Sequence, residues 1–317
     1  MFVTILLFLL GFVLITKGAD IFINNTVEIG KKTNISELIL GATIVSFATT
    51  LPELTVSFFA SLDGHTTMSM GNAVGSIICN TGLILGLVAV ISPFRVNKDM
   101  FFSKSLLLIV SVIALLLLGA DGLITKGDAL ILIAILVVFM VNNYQSVIKG
   151  SKSNVDKRNK DVFKRSEAFK IGIFFILGLV MMVVGSRLLI ESGVEIASVI
   201  GIPQGVISLT VIALGTSLPE LVSCLTAIRK KHHAISVGNV LGANILNIVS
   251  VISLSALPND IPVLSQNIGV DFPFMIAILL ILIVPTIKKH KLYRVQGLLM
   301  LGSYVAYIGT LYFMYLA

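Results

Sequence analysis

Two short stretches put a carboxylate, a proline and hydroxyls into otherwise apolar sequence: Ser46 to Leu54 reads SFATTLPEL and Ala213 to Leu221 reads ALGTSLPEL. In a membrane helix a central charge costs about 2.5–3.5 kcal/mol even on the lenient insertion scale, and an interior proline about 3 kcal/mol more. Residues kept at such cost mark a site. Ala213, Thr216, Ser217 and Glu220 recur at i, i+3, i+4 and i+7, so a carbonyl, two hydroxyls and a carboxylate share one helix face. Pro219 has no N–H to give the Gly215 carbonyl, and Pro52 none for Ala48, so each proline is expected to release a backbone oxygen toward whatever that face binds. A face offering only oxygen suits a hard cation.

The two stretches are copies. Glu53 and Glu220 lie 167 residues apart, and the same offset pairs Gly11 with Gly178, Gly18 with Gly185, Glu28 with Glu195, His65 with His232, Gly71-Asn72 with Gly238-Asn239, and Asn80 with Asn247. The chain is therefore a duplicated half. Beyond each glutamate the next apolar segment adds neutral oxygens: Ser76 and Asn80, at i and i+4, and in the second half Asn247, with Ala243 where the hydroxyl would stand. Asp20 and Arg187 are also equivalents, opposite in sign, and are expected either as an ion pair or as two separately hydrated ends. His65, His232, His233 and His290 fall in polar connections and have no zinc-site spacing.

These residues need apolar elements to position them, and the composition supplies them. Of 317 residues 56% are hydrophobic and 12% charged, and the mean hydropathy is +1.02, which excludes a soluble globule and indicates a polytopic membrane protein. The longest polar stretch, Lys149 to Lys170, is only a loop, so no nucleotide-binding module is available and transport must draw on gradients. The net charge of +7 is spread between apolar segments; it reads as topology and excludes nucleic acid as a partner. Cys79 and Cys224 sit in apolar segments and show no disulfide or thiolate-metal pattern.

Ten membrane helices are expected, beginning with Met1 to Ile15 and continuing over Leu38–Leu62, Ser69–Ile91, Phe101–Leu118, Ala129–Val147, Phe169–Ile190, Gln204–Ile228, Ile235–Leu257, Val270–Ile287 and Tyr293–Tyr315. This gives an all-α membrane protein with a first five-helix repeat over 1–148, a basic cytoplasmic loop over 149–168 and a second repeat over 169–317. Five is odd, so the repeats are inverted and the site helices are expected to be discontinuous. With the loop inside, all but Lys17, Lys126 and Arg187 of the 23 basic residues fall on the cytoplasmic side, and both termini are expected to be extracytoplasmic in a plasma-membrane protein.

The motifs GATIVSFATTLPEL with GNAVGSIICN, and SLTVIALGTSLPEL with GNVLGANILN, resemble the two alpha repeats of the calcium/cation antiporter superfamily, in its sodium/calcium exchanger branch. The resemblance implies a secondary antiporter, not an enzyme, in which Na+ influx drives Ca2+ efflux by alternating access at a midplane site, with helices one and six as the moving gate. It implies Glu53, Glu220, Thr49 and Thr216 as Ca2+ ligands together with the backbone carbonyls of Ser46 and Ala213, and Na+ sites using Thr50, Ser217, Ser76, Asn80 and Asn247. Departures from the family pattern are Thr50 for serine, Ala48 for glycine and Ala243 for serine, while Asn247 resembles the branch that does not require K+. No cofactor and no obligatory protein partner are expected besides the two ions and the lipid bilayer. An H+/Ca2+ antiporter of the same fold is the alternative, and an intramembrane hydrolase with paired carboxylates is a remote one.

Overall fold

The computed structural model describes residues 2–33, 35–153, 165–199 and 213–316. Among them nine helices are long and apolar enough to cross a membrane. They are α1 (Phe2–Thr33), α2 (Glu37–Leu62), α3 (Thr66–Ile91), α4 (Lys98–Leu118), α5 (Lys126–Ser153), α6 (Arg165–Val199), α8 (His233–Ser255), α9 (Asn267–Lys289) and α10 (Arg294–Leu316). The remaining expected helix, over 204–228, has its first part, 204–212, outside the described residues; its second part comprises the short turn Ala213–Thr216 and then α7 (Leu218–Arg229). The loop expected over 149–168 is shorter where described, because α5 continues to Ser153 and α6 begins at Arg165, while 154–164 lie outside the described residues.

Helix α1 runs well past the expected end near Ile15. Asp20, Asn24 and Asn25 interrupt the apolar run but not the helix, because partners take up their polar groups. Asn25 Nδ2 donates to the Ile21 carbonyl at 2.7 Å, Lys230 Nζ donates to Asn24 Oδ1 at 2.8 Å, and Asp20 pairs with Arg229 and, at 3.3 Å, with Lys230. The pairing of Asp20 with Arg187 is thus not made: the basic end of α7 supplies the cations instead.

The chain groups into two compact units, one of Met1–Thr49 with Val141–Asn239 and one of Thr50–Met140 with Val240–Ala317, so each takes segments from both sequence halves. In the first, α1 and α6 form the dominant helix pair. Their duplicated glycines face each other in antiparallel register: a Cβ on Gly11 would meet the Gly185 carbonyl at 2.9 Å, and one on Gly18 the Gly178 carbonyl at 2.8 Å. Only glycine lets the two backbones approach so closely. Around this crossing Ile15, Ala19, Phe22, Ile23, Val45 and Met182 form a buried apolar cluster.

In the second unit the connections are tied by two short antiparallel pairings. β1 (Leu123–Ile124) pairs with β2 (Ile261–Pro262), and the bridge Arg95 to Lys291 is reinforced by Val96 N–H to the His290 carbonyl and Leu292 N–H to the Phe94 carbonyl, both 3.0 Å. Each joins the loop after a third helix of one half to the loop before a fifth helix of the other, and the repeat offset carries one pairing onto the other within a residue. Among the described residues four π-helical turns interrupt the α geometry, at Gly41–Val45, Cys79–Leu85, Asn247–Ile252 and Asn267–Asp271. The second and third are repeat equivalents, and each begins at or next to one of the asparagines Asn80 and Asn247. Single π turns of this kind concentrate at functional sites.

The glycine crossing makes a contrast that thermal melting in detergent can read. Gly18→Ile should overpack the α1–α6 contact and cost about 1–3 kcal/mol, with a clear fall in melting temperature. Gly302→Ala, where an added Cβ meets nothing within 4 Å, should leave melting unchanged or raise it slightly, since alanine is the better helix former.

Candidate cation site

The two glutamate motifs reach similar local geometry by different routes. In the first half Ser46, Thr49, Thr50 and Glu53 lie on one continuous helical stretch, Ser46–Leu62, with Pro52 inside it. The irregularity is taken up earlier, by the π turn Gly41–Val45. All four residues are buried, whereas Phe47 and Leu51 on the opposite face are exposed. In the second half the helix itself breaks: Ala213–Thr216 ends, Ser217 adopts φ −90° and ψ 8°, and α7 starts at Leu218 with Pro219 in its first turn. The i, i+3, i+4, i+7 spacing of Ala213, Thr216, Ser217 and Glu220 therefore does not run along one uninterrupted helix. Pro219 falls in the first turn of α7, where its missing N–H is tolerated, whereas Pro52 is carried inside an unbroken helix.

The break also changes the fate of the carbonyl that Pro219 leaves free. The Gly215 carbonyl accepts a hydrogen bond of 2.7 Å from the buried Ser186 hydroxyl of α6. The expectation that this oxygen faces an ion is thus corrected: α6 caps it. Ile190, one turn further along α6, lies so close that a Cβ on Gly215 would collide with its side chain. In the first half Ala19 stands at the position of Ser186 and has no hydroxyl to offer Ala48.

In the first unit Glu220 occupies the first turn of α7 and is 1% exposed. A helix N-terminus favours negative charge, so the carboxylate stands at the electropositive end of α7. The Thr49 hydroxyl lies beside the Glu220 carboxylate and has two further acceptors within reach, the Asn239 side-chain oxygen at 3.2 Å and the Ser46 carbonyl at 3.4 Å. Neither carboxylate oxygen of Glu220 accepts a hydrogen bond of ordinary geometry among the described residues. Ser46 is fully buried, Ser217 is buried and Thr216 half-buried. Ala213 opens the short turn before the break; its side chain lies outside the described residues.

In the second unit Glu53 is 0% exposed. Asn72 of α3 holds its helix, donating to the Glu53 carbonyl at 3.3 Å and to Ser57 Oγ at 2.9 Å. The straight part of α3, which carries Ser76, packs against the π turn that begins at Asn247. Among the described residues the Thr50 hydroxyl and the whole side-chain amides of Asn80 and Asn247 are buried without a hydrogen-bond partner. Buried polar groups in a native fold are nearly always satisfied, so this set points to an external partner that binds oxygen. Ala243 is buried and adds no oxygen, but its neighbour Asn244 donates to Thr81 Oγ1 at 2.7 Å and keeps a buried, unpaired side-chain oxygen.

Residue spacing alone does not mark Asn72, Asn239, Asn244, Thr81 or Ser186 as site residues. A signal is present for the first two, which are duplicated by the offset, and for Asn244, three residues before Asn247 on the same helix. Ser186 leaves none, because its partner is a backbone carbonyl. Of the histidines, His232 Nδ1 lies 2.7 Å from Glu37 Oε1, a part-buried hydrogen-bond contact.

A family described as "Sodium/calcium exchanger protein" has a sequence model that matches residues 3–145 and again 170–313. The chain belongs to the sodium/calcium exchanger family. It is 31% identical to the sodium/calcium exchanger MaX1 of Methanosarcina acetivorans, over 98% of this chain and 99% of that protein. It is 30% identical to the inner membrane protein YrbG of Escherichia coli, over 97% and 96%. A solved structure of the sodium-calcium exchanger NCX_Mj, soaked with 10 mM Na+ and zero Ca2+, matches with a TM-score of 0.83 at 31% identity, covering 97% of this chain and 98% of that one. This exchanger-type protein is accordingly an integral multi-pass membrane transporter, with two inverted five-helix repeats. Its family and structural neighbours are exchangers, not hydrolases.

The capped carbonyl can be checked on its own. Ser186→Ala leaves the Gly215 oxygen as a buried acceptor and should destabilise the protein by about 1–3 kcal/mol, read as a lower melting temperature in ion-free detergent. Ser186→Thr, which keeps the hydroxyl, should recover most of the loss.

Proposed function

We propose that this exchanger moves Na+ inward and Ca2+ outward across the plasma membrane, with both ions using the oxygens built around Glu53 and Glu220. The observation that carries this reading is the set of buried oxygens that make no hydrogen bond of ordinary geometry among the described residues: the Glu220 carboxylate, the Thr50 hydroxyl and the amide oxygens of Asn80 and Asn247. Two carboxylates balance one divalent ion, and Thr49, Thr216 and the backbone carbonyls of Ser46 and Ala213 complete an all-oxygen set of the kind Ca2+ takes. Thr50, Ser217, Ser76, Asn80 and Asn247 supply neutral oxygens for Na+. An exchanger that returned two protons for each Ca2+ would need the carboxylates but not these neutral oxygens, and this argues against H+ coupling. The names of MaX1 and NCX_Mj support the choice of ions.

The sequence halves 1–148 and 169–317 act as the two inverted repeats, joined by the loop 149–168, with both termini extracytoplasmic. The charge supports this orientation: the ends of α3 and α9 and the starts of α4 and α10 carry Arg95, Lys98, Lys288, Lys289, Lys291 and Arg294, the bias of a cytoplasmic face. A neutral Asn247 supports exchange without K+.

Purified protein in liposomes, given radiolabelled Ca2+ outside and an outward Na+, K+ or H+ gradient in turn, tests the reading. Uptake is expected with the Na+ gradient alone and unchanged when K+ is omitted from both sides; uptake driven only by the H+ gradient would transfer the assignment to H+/Ca2+ exchange. Glu53→Gln and Glu220→Gln should each abolish Na+-driven Ca2+ uptake without loss of folding, since each removes half the charge that matches the ion. Asn247→Asp adds a third carboxylate and should strengthen monovalent cation binding, seen as stronger inhibition of Ca2+ uptake by Na+ or K+ on the same side.

A further inference from the structure

Asn239 lies on α8, outside every ion-ligand set assigned above, yet it is fully buried and both ends of its amide are committed. Its Nδ2 donates to Ser223 Oγ at 3.1 Å and approaches Cys224 Sγ at 3.6 Å, on the turn of α7 just after Glu220. Ser223 Oγ in turn donates to the Glu220 backbone carbonyl at 2.9 Å, and Ser236 of α8 donates to the Cys224 carbonyl at 2.9 Å. The amide nitrogen is therefore anchored to the helix that carries Glu220. The oxygen points the other way and accepts the Thr49 hydrogen at 3.2 Å.

That contact depends on a close crossing. A Cβ on Gly238 would collide with the Leu38 carbonyl, and one on Gly41 with the Ile235 carbonyl, so α8 and α2 touch backbone to backbone immediately before Asn239. The same anchoring recurs in the other half, where Asn72 Nδ2 donates to Ser57 Oγ at 2.9 Å and Ser69 Oγ donates to the Ser57 carbonyl at 2.8 Å. Asn72 and Ser69 are the repeat equivalents of Asn239 and Ser236, and Ser57 of Cys224. A duplicated anchor of this kind holds a side chain in one orientation.

We infer that Asn239 is a positioning residue for Ca2+ binding: by accepting the Thr49 hydrogen it turns the lone pairs of that hydroxyl toward the cation at Glu220. A hydroxyl rotates freely about its C–O bond and is both donor and acceptor. As a cation ligand it must present a lone pair, and its hydrogen must go elsewhere. The Ser46 carbonyl at 3.4 Å is a poor receiver, at the long limit for such a bond. The Asn239 oxygen is the better one, and because it is tied to α7 it fixes Thr49 relative to Glu220. The inference rests on the proposed role of Thr49 and Glu220 as calcium ligands.

The test is a double-mutant cycle on equilibrium Ca2+ binding to the purified protein in Na+-free detergent, with melting temperatures recorded to confirm folding. Thr49→Val in the wild-type background should raise the half-saturating Ca2+ concentration about tenfold, the scale of one good polar interaction. Asn239→Ala should raise it to a similar degree, and Asn239→Leu, close to asparagine in shape, should do the same and serves if the alanine variant does not fold. Combined with Thr49→Val, either Asn239 variant should add less than about a further twofold, because both changes remove one interaction. Additive losses in the double variants would overturn the inference and leave Asn239 a packing residue, while Glu220→Gln still abolished binding. Ca2+ binding that survived Glu220→Gln would instead remove the calcium reading itself.

Discussion

A carboxylate buried inside a membrane-spanning bundle must be matched by a proton or a cation, and in this chain two such carboxylates, Glu53 and Glu220, are almost wholly removed from solvent. The penalty for burying an unpaired ion is several kcal/mol, more than a marginally stable fold can carry twice. The local architecture answers this demand. Glu220 stands at the start of α7, where the helix end favours negative charge, and the helix bearing Glu53 is held through its backbone by Asn72. Among the described residues the Glu220 carboxylate accepts no hydrogen bond of ordinary geometry, and the Thr49 hydroxyl beside it has the Asn239 oxygen within reach. A site that must release its ion to either side cannot saturate its own ligands.

The departures from regular helix serve the same end. A uniform α-helix consumes every backbone carbonyl and sets side chains on a fixed spiral, and neither suits a cluster of oxygens around an ion. The first half widens one turn at Gly41–Val45, and the second breaks at Ser217. The later π turns place Asn80 and Asn247 at equivalent positions of α3 and α8. Where a break frees a carbonyl that the site does not use, α6 supplies a cap from Ser186. The helix that caps the break also crosses α1 through paired glycines, where the two backbones approach closely. That contact is compatible with the expected role of α1 and α6 as moving elements.

The duplicated motifs and the helical plan were legible in the sequence, because an acid next to a proline in apolar sequence has few structural explanations and two copies have fewer. What stayed hidden depended on partners far along the chain. The polar residues of α1 looked like its end because Arg229 and Lys230, which accept Asp20 as partner, lie more than two hundred residues away. Pro219 announced a free carbonyl but could not announce that Ser186 covers it. The offset displayed Asn72 and Asn239 as a pair, yet nothing in residue spacing told that an amide nitrogen was anchored on one helix and its oxygen aimed at a threonine on another. Inverted repeats show which residues are equivalent; the hydrogen bonds decide what the equivalents do.

Charge counting exposes the account most directly. Ca2+ on two carboxylates leaves a neutral site, and so would two protons, whereas Na+ ions that also occupy the neutral oxygens of Thr50, Ser217, Ser76, Asn80 and Asn247 carry surplus charge, worth about 2.3 kcal/mol per charge per 100 mV. The decisive measurement is the initial Ca2+ flux in liposomes under a fixed Na+ gradient, with the membrane potential clamped at several values by K+ and valinomycin. The account predicts that a potential drawing positive charge in the direction of Na+ movement accelerates Ca2+ movement the other way. A flux indifferent to potential and dependent on a pH gradient would contradict it.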